Sequence, residues 1–339
     1  MNSLLCLVRY AMRAVVNNDG IRTVDVPEPE GDGVRLSVVS AGICGTDVGF
    51  AAAGVSGFVY GHEFAGIDDE GQGWFVEPTI YGGECAQCRV GSTQRCTEEV
   101  HGNLGVFSDG GMAERVRVPE YTLLSLPDGL DVRDACLIEP AAVAWHAVRR
   151  AQARPAERLL VLGGGSIGLL AAAAAQAAGH DVDVEARYPH QRRAAEELGC
   201  GEPGGEYDVV IDAAGSRSSL GSAAAAARPG GRVVSTGVYP EDEPVPGIVS
   251  LTKELTFVHS IAYGRHDGVR EVEEAARMLA ERPEVPATLI THRFPLDAAA
   301  EAFRVAADRA SGAIKVVIEP ARPHSGSPTR QRMTPSGEL

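Results

Sequence analysis

The chain has no excess of positive charge, no unbroken apolar run, and cysteines in the wrong arrangement for a disulfide framework. Its 31 basic residues stand against 46 acidic ones, a formal net charge of −15, and no basic cluster occurs between residues 12 and 320. A polyanion or an anionic bilayer finds little to grip on such a chain, which argues against nucleic acid and membrane as partners. The one long apolar stretch, residues 159–178, is broken by glycines and reads as strand, turn and helix, not as a membrane span. Residues 1–10 are mildly apolar but lack a convincing signal-peptide cleavage site, so a cytoplasmic location is expected. Of the seven cysteines, Cys85, Cys88 and Cys96 form one tight cluster and Cys44 lies in a motif of its own, which suits reduced, metal-binding thiols.

What is present fits an ordinary globular protein. At 339 residues, with 44% hydrophobic and 23% charged residues, the chain is long enough for two domains. Up to about residue 125, short β-type runs separated by turns (residues 13–16, 34–39 and 113–118) suggest an irregular, mostly antiparallel β domain. From residue 158 to 260, strands and helices alternate, with strands expected at 158–162, 182–184, 207–212 and 231–236. That α/β rhythm predicts a doubly wound parallel sheet. A last run, 313–318, is expected to return to the first domain.

Two short motifs carry metal chemistry. Gly42-Ile43-Cys44-Gly45-Thr46-Asp47 and Gly61-His62-Glu63 together offer a thiolate, an imidazole and a carboxylate, each able to bind zinc with a position left open for substrate. Soft thiolate with imidazole favours zinc over magnesium or calcium. The hydroxyl of Thr46, two residues from the thiolate, is placed to take a proton from a zinc-bound alcohol. Further on, Gly163-Gly164-Gly165-Ser166-Ile167-Gly168 fits GxGxxG between a strand and a helix, where glycines allow a tight turn and close approach to a dinucleotide pyrophosphate.

In this order, together with Glu139-Pro140, these motifs resemble the zinc-dependent medium-chain dehydrogenases, the alcohol and polyol dehydrogenase superfamily. The resemblance runs from about residue 12 to 320 and implies a GroES-like catalytic domain joined to a Rossmann cofactor domain. The expected organisation is an extension at 1–11, a GroES-like domain at 12–150, a Rossmann domain at 151–290, a return at 291–320 and a disordered tail at 321–339. It implies a catalytic zinc on Cys44 and His62. Glu139, in a segment like that of the sugar and polyol branch, is a further ligand, and Glu63 acts as ligand or catalytic group, alternating with Glu139 or water. Thr46 matches the family's substrate-facing hydroxyl, but the histidine that often follows it in the proton relay is replaced by Gly49. The family's structural zinc site, C-x2-C-x2-C-x7-C, is matched by Cys85, Cys88 and Cys96, while Gly82 stands where the first cysteine belongs. Glu84 and His101 are the nearby substitutes, and an empty lobe is left open.

For the nucleotide, the resemblance implies contacts from Gly163, Gly165, Ser166, Ile167, Gly168 and Gly237. The acid that binds the ribose of NAD falls at Ala186, followed by Arg187, a composition that favours NADP(H) over NAD(H). Glu185 is the counter-candidate if the register shifts by one. Tyr263 lies in a segment flanking the nicotinamide site, whereas Trp145 and His146 read as packing residues. The expected activity is hydride exchange between NADP(H) and a small secondary alcohol or its ketone, a sugar, polyol or (amino)cyclitol, in a homodimer or homotetramer. A redox-neutral epimerase with tightly held cofactor and a non-catalytic NADPH sensor stay open beside it.

Overall fold

The structure, a computed structural model, describes residues 11–239 and 244–320. The expected tail lies outside them, as does the extension, apart from Ala11, which opens the first strand. After a hairpin of Ala11–Asn17 and Ile21–Pro27, the chain enters a seven-stranded sheet. Its order is Ile290–Pro295, Lys315–Glu319, Val34–Gly42, Glu63–Ile67, Gly73–Val76 and Leu123–Ser125, with Arg115–Val118 also paired to Val34–Gly42. Along Val34–Gly42, buried Leu36, Val38 and Ser40 alternate with outward Arg35 and Ser37, the period-two pattern of a sheet with one face on the core. The strand Lys315–Glu319, from the far end of the chain, takes an interior place in this sheet.

The second sheet is parallel throughout, in the order Val182–Glu185, Leu159–Leu162, Tyr207–Asp212, Ala227–Ser235 and Thr256–His259. A parallel bridge between Asp183 and Gly201 marks a vestigial further strand at one edge. With it, the order becomes 3-2-1-4-5-6, the Rossmann arrangement. Leu159–Leu162 is buried at all four positions, as expected for a central parallel strand covered on both faces. Leu162 is level with Glu185 on one side and Asp212 on the other. The strand order reverses at that point, so a crevice opens beyond the carboxyl ends.

The helix Ser166–Ala177 follows at once, and its Ala171 to Ala175 run is fully buried against the helix Ile138–Ala151. Small side chains let these helices approach closely. At Gly168 the demand is absolute, because a Cβ there would lie 1.8 Å from the carbonyl oxygen of Gly163. One buried cluster continues from Ala65 and Phe75 of the first sheet, through Ile138, to Leu159 and Val234 of the second. No helix among the described residues is long and apolar enough to cross a membrane.

Candidate active site

Cys44 leaves the Val34–Gly42 strand at the head of the helix Gly45–Ala52, and His62 and Glu63 open the neighbouring strand. The donor atoms of these three residues lie within 4.8 Å of one another. Asp47, in the first turn of that helix, joins them from behind. Its Oδ2 accepts the backbone N–H of Cys44 at 2.9 Å, and its Oδ1 is 3.3 Å from Nδ1 of His62. That nitrogen is buried and makes no full hydrogen bond. An Asp47–Nδ1 interaction is the kind that fixes the ring and leaves Nε2 to bind metal.

Glu63 is not alone. Both its oxygens accept from Lys315, at 2.6 and 2.8 Å, and Lys315 also donates to the carbonyl of Ile43. Burial works against a charge on Lys315, but Glu63 and Cys44 outweigh it and push its pKa up to about 12. Glu139, at the start of the helix Ile138–Ala151, is buried beside this set but is not one of the three converging donors. Burial first, and then the neighbouring charge of Glu63, push its carboxyl up to about 7, against the opposing pull of His62. Burial likewise works against a charged His62, yet Asp47 and Cys44 hold its pKa well above the usual value. The pocket thus concentrates acidic groups around too little positive charge. A divalent cation is what such a donor set fits, since it supplies the charge that burial makes necessary.

Thr46 stands in the first turn of the same helix, half-buried, and its hydroxyl makes no hydrogen bond to the described residues. Tyr263 is buried against Glu139, with its own hydroxyl unsatisfied. His146 is a packing residue in a polar sense: its Nδ1 is 2.8 Å from Glu271.

The glycine turn faces this group across a single cleft. Cys44, Glu63 and Lys315 line one wall, and Gly165, Ser166 and Ile167 line the other. Ser166 ties the walls together, its hydroxyl donating to the carbonyl of Ile314 at 2.7 Å. The amino end of the Ser166–Ala177 helix points its unpaired N–H groups at the turn, the usual seat of a pyrophosphate. Gly237 packs against Gly215 at the ends of the next strands, where a Cβ on Gly237 would meet the Gly215 Cα at 2.4 Å.

At the end of the second strand, Ala186 is buried and faces the turn, its Cβ 2.6 Å from where a Cβ on Gly164 would stand. Glu185, one residue earlier, is exposed, as strand alternation requires. Arg187 is exposed beside the Tyr188 ring, and Arg192 reaches back to donate to the carbonyls of Ala186 and Arg187.

Away from the cleft, Cys85, Cys88 and Cys96 do come together, and the six cysteines among the described residues are all free thiols. The expected substitutes do not join them. Glu84 is exposed and pairs with Arg89, and His101 is exposed. The fourth group is Glu98, two residues beyond Cys96. A carboxylate so near the last cysteine was the signal available in the sequence. Lys315 and Asp47 were likewise not singled out; Asp47 sits inside the first motif, but nothing local marks Lys315.

Residues 30–128 match the alcohol dehydrogenase GroES-like domain, and residues 201–281 match the zinc-binding dehydrogenase family. The chain is 32% identical over 310 residues to L-galactonate-5-dehydrogenase of Escherichia coli (strain K12), covering 82% of this chain and 89% of that protein. Among solved structures, it is similar to a zinc-binding dehydrogenase from Sinorhizobium meliloti 1021 bound to NADP, at 30% identity and a TM-score of 0.80, covering 92% and 100% of the two chains. It is also similar to an Escherichia coli CFT073 alcohol dehydrogenase complexed with NADH, at 26% identity and a TM-score of 0.79, covering 91% and 99%.

Proposed function

The chain belongs to the zinc-dependent medium-chain alcohol dehydrogenase superfamily, and from that premise we propose that it moves hydride between NADP(H) and a secondary alcohol of a hydroxyl-rich substrate, a sugar, polyol or (amino)cyclitol. The observation that carries the proposal is the shared cleft, with Cys44 and Glu63 on one wall and the Gly165–Ile167 turn on the other. Cys44, His62 and Glu63 would hold a zinc ion, which when bound would supply Lewis-acid polarisation of the substrate oxygen. Thr46 would take the proton of that oxygen at its hydroxyl, which makes no hydrogen bond among the described residues. With Gly49 in place of a relay histidine, water carries the proton onward.

Asp47 holds the imidazole of His62, and Lys315 holds Glu63 when that carboxylate is not engaged. Glu139 stands as the reserve ligand, its carboxyl turned towards the hydroxyl of Tyr263. The similarity to a dehydrogenase of L-galactonate supports a polyhydroxylated substrate. The solved relatives hold one nucleotide each, NADP and NADH, so the choice rests on this chain's own residues. Ala186 offers no acid to the ribose, while Arg187 and Arg192 offer charge to a 2′-phosphate.

The test is zinc-loaded protein against a panel of polyols, aminocyclitols and simple alcohols with each nucleotide. NADPH should form in step with alcohol consumed, and Cys44→Ser should abolish it while nucleotide binding survives. Isomerisation without net NADPH, or binding without turnover on the whole panel, would overturn the proposal.

A further inference from the structure

We propose that the lobe spanning residues 82–98 holds a metal ion through three thiolates and one carboxylate, from Cys85, Cys88, Cys96 and Glu98, with Glu98 filling the space that Gly82 leaves.

The distances fit a tetrahedral ion. A tetrahedral zinc with Zn–S of about 2.3 Å and Zn–O of about 2.0 Å has ligand edges of about 3.8 Å between sulfurs and about 3.5 Å between sulfur and oxygen. In the lobe, the Cys85 and Cys88 sulfurs are 3.5 Å apart, those of Cys85 and Cys96 are 4.0 Å apart, and Sγ of Cys96 is 3.5 Å from Oε2 of Glu98. The two sulfur separations straddle the tetrahedral edge, and the sulfur–oxygen separation equals it. They are far too long for a disulfide, whose sulfurs are about 2.05 Å apart.

Glu98 is also oriented as a donor. Its Oε2 is within reach of the backbone N–H groups of Glu84, at 3.2 Å, and Cys85, at 3.3 Å, the kind of outer support that fixes a ligand. Glu98 makes no ion pair among the described residues and turns instead towards three sulfurs. Once these thiols ionise, the carboxylate facing them is repelled unless a cation lies between them.

Gly82 leaves the space that Glu98 fills. A Cβ at this position would lie 2.5 Å from both Cδ and Oε2 of Glu98. A side chain at 82 and the carboxylate of Glu98 therefore exclude one another. The glycine is room made for a donor that arrives from the other end of the lobe. Four protein donors leave no position open, so an ion here holds structure and does no chemistry. What it holds is a lobe docked on the cofactor side, where the backbone N–H of Arg265 donates to the carbonyl of Gly91 at 2.7 Å and its guanidinium to the hydroxyl of Tyr81 at 3.1 Å.

The experiment counts zinc per chain and measures melting temperature in the full-length protein, its Cys44→Ser variant, Glu98→Ala, and the double variant Glu98→Ala with Gly82→Cys. The full-length protein should hold about two ions, and Cys44→Ser and Glu98→Ala about one each. Glu98→Ala should melt earlier, and Gly82→Cys in that background should restore both ion and melting temperature by completing a four-thiolate set. In chelator competition, Glu98→Ala should weaken the lobe by more than the 10- to 100-fold, roughly, that loss of an outer-shell partner costs. Cobalt loaded into the Cys44→Ser protein should give tetrahedral thiolate bands that strengthen in the double variant. A Glu98→Ala protein that keeps its second ion with unchanged affinity would overturn the inference. So would a single ion in the full-length protein that vanishes with Cys44→Ser, a result that leaves the catalytic proposal standing. A single ion lost with Glu98→Ala but kept in Cys44→Ser would do the reverse.

Discussion

The ammonium of Lys315 lies 2.6 Å from Oε2 of Glu63, although 252 residues separate the two and both side chains are almost wholly shielded from solvent. A carboxylate buried to that depth needs a permanent counter-charge or a cation that comes and goes. Lys315 provides the first, and the proposed zinc would be the second, so Glu63 would have two partners in the same small volume.

Removing the permanent one should be costly. Lys315→Met leaves Glu63 buried and unpaired and is expected to destabilise the protein by about 3–5 kcal/mol, with Glu63→Gln in the same chain recovering much of the loss. Denaturant titration of the two single variants and the double variant measures this directly. The lysine's pKa is raised from its ordinary 10.5 to about 12. Its contribution is therefore complete below about pH 10 and lost as pH rises through about 12. Additive single-variant losses would show that the pair is not a unit.

Glu139 gives a slope of the same sign at lower pH. With metal stripped, its carboxyl is raised from 4.5 to about 7, so the folded state keeps a proton that the unfolded chain releases earlier. Stability of the metal-free protein should fall as pH rises from about 4.5 to about 7, by an amount of the order of 3 kcal/mol, and Glu139→Gln should flatten that slope. Zinc should flatten it too, because a neighbouring cation favours the ionised carboxylate. Parallel pH curves for the chelated parent and Glu139→Gln would refute the assignment.

Thr46→Val keeps shape and removes the hydroxyl. Turnover is expected to drop at least about tenfold, with nucleotide affinity little changed. Because the hydroxyl makes no hydrogen bond to the described residues, the melting temperature should hold. Steady-state kinetics beside a thermal melt separates a proton-transfer role from a structural one.

The proposed nucleotide choice turns on two adjacent positions. Charge-assisted bonds from Arg187 to a 2′-phosphate are each worth roughly 1.5–3 kcal/mol, a preference for NADP of about 10- to 100-fold in kcat/KM. Arg187→Ala should erase most of it by raising the KM for NADP, and Ala186→Asp should shift preference towards NAD. A parent protein that uses NAD as well as NADP would reassign the ribose contact to Glu185.

The parallel sheet was legible in four of its five strands because their signals are local, whereas the first sheet was legible only at Val34–Gly42, Arg115–Val118 and Lys315–Glu319. Leu159 to Leu162 is apolar at every position, and the glycine turn follows without a gap. Cys44 and His62 were legible for the same reason, each lying inside a short motif. The partner of Glu63 was not, since no local pattern ties a lysine in the last strand to a carboxylate in the first domain. Tyr263 stood out only as a residue near the substrate, while its burial against Glu139 depends on how two domains pack. Glu98 is the instructive case. It lies two residues from Cys96, yet Glu84 and His101 were as near, and which of them turns inward depends on how the chain reverses around Gly82.

The interior position of the Lys315–Glu319 strand has a bearing on the order of folding. Every strand of the parallel sheet comes from residues 159–259, so that sheet can close on its own while later residues are still being added. The sheet that carries Cys44, His62 and Glu63 cannot, because the bond from Lys315 to the carbonyl of Ile43 spans 272 residues. Contacts so distant in sequence are made late and slowly. On the ribosome, the proposed metal donors emerge early and wait through most of synthesis, their acidic cluster uncompensated, for the lysine that completes it.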